Sequence, residues 1–266
     1  MVIYGKQPVL YALERHINQI EKIFIAKELP KNLFVSLKKY QKPISVLDSK
    51  KAQALAHGRN HQGIFAQIRD IKPLDLATIK HQSPLLALCG VSDIGNLGSI
   101  MRSAYCLGAG GVLVCDYTLS KSGIEGMLRA SAGAALDMPF CNITHTLEVL
   151  NELKMAGFVF IGADSAGENI TSFLSKSQQN SPQMPKNFKK IDRISQTNSK
   201  PAGFVGEFPE KWILFLGSEG QGLQPKILKK MDITLCIPMR RDFDSLNVAH
   251  ATVIFLDRLL NRGQNE

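Results

Sequence analysis

The sequence has no apolar run long enough to cross a bilayer. Its first residues, MVIYGKQPVLYALERH, do not form a signal peptide, because Lys6 and Pro8 interrupt the stretch before a long apolar core develops. A cytoplasmic protein is therefore expected, with no membrane partner. There are five cysteines and none stand as C-x-x-C, so buried free thiols are expected and a metal site is not. No internal repeat is visible. Glycines abound in LGSEGQGL, Leu216 to Leu223, yet they match neither usual phosphate loop. A Walker loop needs Lys-Ser/Thr after its last glycine, and here Leu223 and Gln224 follow. A dinucleotide fingerprint needs G-x-G-x-x-G, and Gly217, Gly220 and Gly222 are spaced differently.

Acidic residues are scarce at one end only. Residues 1–80 hold 14 Lys+Arg against 6 Asp+Glu, whereas the rest of the chain holds 18 against 17. Nearly all of the formal net charge of +9 thus lies in the N-terminal third, which suits a polyanionic partner. The 266 residues, 44% hydrophobic and 21% charged, suffice for one large domain or two smaller ones.

The periodicity divides the chain. Over residues 1–70, VLYALERH, NLFVSLKKY and SKKAQALAHG read as helices, the last with Ser49 as cap and Gly58 as stop. KIFIAK, ISVL and GIFAQI read as strands. Residues 71–83 read as a linker. From 84 to 266, PLLALCGV, GGVLVC, FVFIGAD, WILFLG and DITLCIPM read as strands that alternate with helices, which implies a parallel α/β sheet. The last helix is expected from about Ser245 to Asn261. Between FVFIGAD and WILFLG, residues 171–209 are rich in Ser, Gln, Asn, Lys and Pro, and are expected to form a flexible insertion.

Three segments could carry chemistry. In VSDIGNLGSIMRSAYC, Asn96 and Gly98 open a helix with Arg102 one turn further in, a corner that suits a phosphate. In LGSEGQGL, Glu219 stands where it would repel an anion, so an uncharged adenosine or ribose is the better ligand. In CIPMRRDFDSLNVAHATVIFL, Ser245 is a candidate N-cap. Asn247, read as lying just inside that helix, is a poor structural choice there, which favours a binding role.

N-x-G-x-x-x-R, L-G-S-E-G-x-G-L and I-P-M ending in S-L-N-V, in that order, resemble the SpoU family of RNA ribose 2′-O-methyltransferases, of the knotted SPOUT class. The resemblance covers essentially the whole chain. IYGKQPVLYAL and HQGIFAQI resemble the substrate-binding domain of the bacterial enzymes that methylate a guanosine of 23S rRNA, itself similar to an L30e-like RNA binder. The resemblance implies a trefoil-knotted parallel sheet, one of the rare exceptions to ordinary connection rules. It implies a homodimer, S-adenosylmethionine as cofactor, and RNA, not DNA, as partner. It places Gly217, Ile237 and Leu246 along the cofactor, and Arg102, Asn96, Glu219, Ser245 and Asn247 in the active site. Arg240-Arg241-Asp242 and Ala249-His250 depart from the family's usual residues. A tRNA target and an RNA-binding module without catalysis stay open as alternatives.

Overall fold

The computed structural model describes residues 1–179, 208–241 and 245–261, and its strands form two sheets. The first contains β1 (Val2–Tyr4), β2 (Ile20–Ile25), β3 (Ile44–Val46) and β4 (Ile64–Ile68), in the order β1-β4-β2-β3. Strand β4 runs antiparallel to both neighbours, while β2 and β3 are parallel. Helix α1 (Lys6–Arg15) buries Val9, Ala12 and Leu13, spaced to share one face, in the same core as Ile23, Ile64 and Ile68. Tyr4 and Phe65 join Ala52 and Ala56 in a separate cluster. Helices α2 (Lys31–Lys38) and α3 (Ser49–Leu55) complete this part. The cap of α3 is Asp48, not Ser49: its carboxylate accepts from the Lys51 N–H at 2.8 Å. Both residues are short acceptors, and the one in extended backbone wins.

The segment expected to be a plain linker contains α4 (Leu76–Ile79), capped by Asp75, with Ile79 fully buried. Four residues are too few for a periodicity to show.

The second sheet is wholly parallel, in the order β10-β8-β9-β5-β6-β7. Its strands are β5 (Leu85–Cys89), β6 (Gly111–Cys115), β7 (Phe140–Ile143), β8 (Val159–Asn169), β9 (Trp212–Gly217) and β10 (Ile233–Cys236). Strand β5 is buried throughout. Leu86 and Leu88 pack in one core with α5 (Ile94–Leu107), α6 (Lys121–Ala130) and α10 (Val248–Leu260). Leu85, Ala87 and Cys89 pack in a second core with α4, α7 (Thr146–Met155) and α9 (Pro225–Leu228). A strand covered on both faces has no polar side to show, hence the unbroken apolar run. The sequence pattern assigned nothing to residues 116–145, which hold α6, a 3₁₀ turn at Ala134–Leu136, and β7. Gly123 and Gly126 weaken the helical signal of α6.

The polar insertion starts later than expected, because residues 170–179 form α8 (Ile170–Gln179). Phe173 is buried and stacks edge-on with Phe208, which in turn meets Trp212 at 5.9 Å between ring centres. Residues 180–207, the rest of the segment expected to be flexible up to its last two positions, lie outside the described residues.

The two sheets are joined by polar contacts as well as by core. The Val2 N–H donates to Glu125 of α6 at 3.1 Å. Tyr11 donates to Asp137, which also pairs with His16 Nε2 at 3.0 Å. Arg15 donates to the Tyr105 hydroxyl at 3.2 Å.

Candidate active site

Strands β5, β8, β9 and β10 run parallel, so their C-terminal ends reach one edge of the sheet, where α/β proteins bind ligands. A cleft of about 770 Å³ lies there. The loop after β9 forms one wall from Gly217 to Gly222, and the end of β10 with Ile237 to Met239 forms another. Ser245, Leu246, Val248, Ala251 and Phe255 close it from the α10 side.

A third wall has no counterpart in the sequence reading. The pairing of β8 with β10 slips between Thr234, opposite Gly162, and Leu235, opposite Glu168. Residues 163–167 are thereby pushed out of register, and Ala163, Asp164 and Ser165 line the cleft. FVFIGAD reads as a strand, and nothing in it signals a break in pairing that depends on its partner.

Gly217 is glycine for a reason internal to the loop. A Cβ there would lie 1.9 Å from the Gly222 carbonyl carbon and 2.3 Å from the Leu223 nitrogen. The chain folds back on itself, with the Gly222 N–H donating to the Ser218 carbonyl at 2.9 Å. The first constraint on this glycine is therefore its own loop, with a ligand only second.

At the edge of the cleft three distant side chains meet. The Asn96 amide donates to Glu219 Oε1 at 3.0 Å. The Asn247 amide donates to the same oxygen at 2.6 Å and to Asn96 Oδ1 at 3.0 Å. The two asparagines stand at helix starts. Asp93 caps α5 by accepting from the Asn96 N–H at 2.7 Å. Asn247, not Ser245, caps α10, its Oδ1 accepting from the Ala249 N–H at 2.9 Å. That helix begins at Val248. The expectation that Asn247 sits badly inside a helix is thus corrected: it is a good cap, and its amide is left free for Glu219. Ser245 stays exposed on the cleft wall.

Arg102 lies on the same helix as Asn96, exposed, and makes no hydrogen bond or ion pair among the described residues. Gly98, paired with Asn96 in the sequence reading, serves packing: a Cβ there would come within 2.3 Å of the Ala130 Cβ on α6. Arg240 and Arg241 are exposed beside the β10 wall, His250 is exposed on α10, and residues 242–244 lie outside the described residues.

The charged side chains that line the cleft, among the described residues, are acidic. Asp164 and Glu219 line it, and no Lys, Arg or His is among the described residues of its wall. Burial, and then the charge of Asp164, push the Cys236 thiol up, which works against its thiolate form. Among the described residues no cluster of His, Cys, Asp or Glu could hold a metal, and no helix is long and apolar enough to cross a membrane. The cleft can take an uncharged or cationic ligand; it is poorly built for a phosphate.

Known proteins resemble the chain along its whole length. The family model for RNA 2′-O ribose methyltransferase substrate binding matches residues 2–74. The 23S rRNA (guanosine-2′-O-)-methyltransferase RlmB of Vibrio parahaemolyticus is 26% identical, covering 96% of this chain and 94% of its own. An uncharacterized tRNA/rRNA methyltransferase of Mycobacterium avium is also 26% identical, covering 96% of this chain and 75% of its own. The crystal structure of an AdoMet-bound rRNA methyltransferase from Sinorhizobium meliloti has the same fold, with a TM-score of 0.68 at 21% identity, covering 100% of this chain and 88% of that one. The model of the SpoU rRNA methylase family matches residues 83–257, the span that holds the parallel sheet, the cleft and the Asn96–Glu219–Asn247 cluster. The chain belongs to that family.

Proposed function

We propose that the protein is an S-adenosylmethionine-dependent RNA ribose 2′-O-methyltransferase acting on a guanosine of 23S rRNA. One observation carries this reading: Asn96, Glu219 and Asn247 converge at the edge of a cleft without cationic walls. S-adenosylmethionine supplies, when bound, a methyl group on a cationic sulfonium, open to in-line displacement. The residues present fit it. Backbone at Gly217 and Ile237 can meet the polar edges of an adenosine, Leu246 and Phe255 its apolar faces, and Asp164 and Glu219 a cation.

The chain's own groups then have these roles. The two amides fix Glu219 Oε1 and so aim the carboxylate, with Ser245 beside it on the wall. Arg102, without a hydrogen bond or ion pair among the described residues, holds the phosphate next to the target ribose as a fork. Held there, the ribose 2′-hydroxyl would face the methyl group that the cofactor would supply, with the Arg102-bound phosphate beside it as hydrogen-bond acceptor for its proton. A guanidinium is a poor base, which favours the clamp over direct deprotonation.

The trefoil knot, a homodimer packed through the region of α10 and the L30e-like character of the first domain rest on family resemblance, whereas a cytoplasmic location and the division into residues 1–70, a linker (71–83) and a methyltransferase domain (84–266) rest on the composition and periodicity read above. Partial exposure of Val253 on α10 supports the dimer. The name of the Mycobacterium avium relative keeps a tRNA target in view. A catalytically inactive RNA-binding module is opposed by the complete Asn96–Glu219–Asn247 network.

The test is transfer of labelled methyl from S-adenosylmethionine to RNA from a strain lacking the protein, with wild type and Arg102→Ala, followed by mapping of 2′-O-methyl sites. Label at a 23S guanosine with wild type only is expected. Label in tRNA would overturn the substrate and keep the chemistry. No label, from protein that still binds RNA, would overturn the enzyme reading.

A further inference from the structure

The loop between α3 and β4, residues 57–63, is tightly built. His57, Gly58, Gln62 and Gly63 all have positive φ. The Gly58 N–H donates to the Gln53 carbonyl at 2.9 Å, the Gln62 N–H to Asn60 Oδ1 at 3.1 Å, and the Gly63 N–H to His61 Nδ1 at 3.0 Å. Gln62 in turn accepts from the Lys6 N–H at 2.7 Å, which ties the loop to the start of α1. The loop contains no acidic residue.

Arg59 stands at its outer side and crosses to the other sheet's domain. A Cβ placed on Gly126 of α6 would lie 3.8 Å from Arg59 Nη1 and 2.8 Å from Ile94 Cγ2. The guanidinium and Ile94 therefore share one small patch of α6. Ile94 is the first residue of α5, next to the cap Asp93 and two residues before Asn96. Arg59 is exposed and has no hydrogen bond or ion pair from its side chain among the described residues. The nearest acid along α6, Glu125, is occupied by the Val2 N–H. A guanidinium from the basic N-terminal part thus reaches the patch of α6 that also meets Ile94, at the start of the helix that carries Asn96. Arg102, equally free, stands further along the same helix.

We infer that Arg59 binds an RNA backbone phosphate flanking the nucleotide that enters the cluster, so that the N-terminal domain sets the register of the substrate from within the same chain. This rests on the function proposed above. Its chemistry is that of a planar fork meeting a phosphate, the common way in which proteins position nucleic acid without reading its bases. Arg59 is a positioning residue; it does not touch the reacting atoms.

The experiment uses the full chain as wild type, Arg59→Ala and Arg59→Lys, with rRNA from a strain lacking the protein. Arg59→Ala is expected to raise KM for RNA about tenfold, leave kcat within about twofold, and lower the slope of log K against log salt by about one. Affinity for S-adenosylmethionine and melting temperature should stay near the wild-type values, because the side chain makes no hydrogen bond or ion pair among the described residues. Arg59→Lys should recover the salt slope but only part of KM. An unchanged KM and salt slope in Arg59→Ala would overturn the inference even with full methyl transfer by wild type. Absence of transfer by wild type would instead overturn the enzyme reading, and the salt slope of RNA binding would still decide for or against Arg59.

Discussion

Two loops of this protein use the same backbone device for opposite ligands. Residues 217–222 and 57–63 both turn sharply through positive φ, at Gly220 and Gly222 in one and at Gly58 and Gly63 in the other. Both close on themselves by short-range hydrogen bonds. The first carries Glu219 and no cation; the second carries Arg59 with His57 and His61 and no acid. Glycine spacing therefore says that a chain must turn tightly, and says little about what it will hold. The ligand's charge is set by the few side chains that the turn presents, and by what leaves them free. Glu219 is oriented by two amides, whereas Arg59 has been left without a partner among the described residues.

The largest effect should come from breaking the first loop. Gly217→Ala puts a Cβ into the backbone of Gly222, which cannot give way without opening the turn. We expect a loss of about 3 kcal/mol in stability and no detectable binding of S-adenosylmethionine, read by thermal melting and calorimetric titration. Near-normal cofactor binding would show that the loop is not the wall we take it to be. The next effect separates cap from network. Asn247→Ser keeps a side-chain acceptor for the Ala249 N–H but removes the amide that holds Glu219. Melting should stay within about 0.5 kcal/mol of wild type, while methyl transfer falls about 10²-fold through misplacement of the carboxylate. Asn247→Ala should lose the cap as well, about 1 kcal/mol more. Equal transfer by the Asn247→Ser variant and the wild type would mean that Asn247 serves the helix alone.

Much of this is legible in the sequence alone, and unevenly so. The buried parallel strands can be read because PLLALCGV and WILFLG are apolar without interruption, which only two covered faces permit. The convergence of Asn96, Glu219 and Asn247 is expected only through the family resemblance that the three motifs carry, not from their spacing. What fails is local. Ser49 and Ser245 look like caps as much as Asp48 and Asn247 do, and only the backbone angle at the helix start chooses between them. The wall at Asp164 arises from a slip in pairing with β10, about seventy residues away, and the signal is not in either strand alone. Helix α6 stays hidden because Gly123 and Gly126 are poor helix formers, and Gly126 is there to admit Ile94, whose Cγ2 would lie 2.8 Å from a Cβ on it. Arg59 Nη1 comes to the same patch, 3.8 Å from a Cβ placed on Gly126, so the feature that conceals the helix also locates the second loop's charge.

The smallest expected effect concerns what holds the two loops in register. They belong to different sheets, and Asp137 is a hinge pin between them, taking hydrogen bonds or charge from Tyr11 and His16 of the N-terminal part. Burial first, and then the hydrogen bond to Asp137, raise Tyr11 well above the ordinary tyrosine value near 10. The sign follows: a proton held more tightly in the folded chain than in the unfolded one stabilises fully below pH 10, and that contribution fades as the pH rises through the raised value. Between pH 7 and pH 9 the docking should be insensitive to pH through this group. Tyr11→Phe removes the donor and leaves His16 facing Asp137, so the loss should be about 1–2 kcal/mol, or a few degrees in Tm. If the first loop works alone on the cofactor, affinity for S-adenosylmethionine will not change in that variant. KM for RNA should rise only modestly, since Arg59 would be loosened and not lost. A drop in cofactor affinity instead would mean that docking of the N-terminal part shapes the cleft itself, and the two loops would have to be treated as one site.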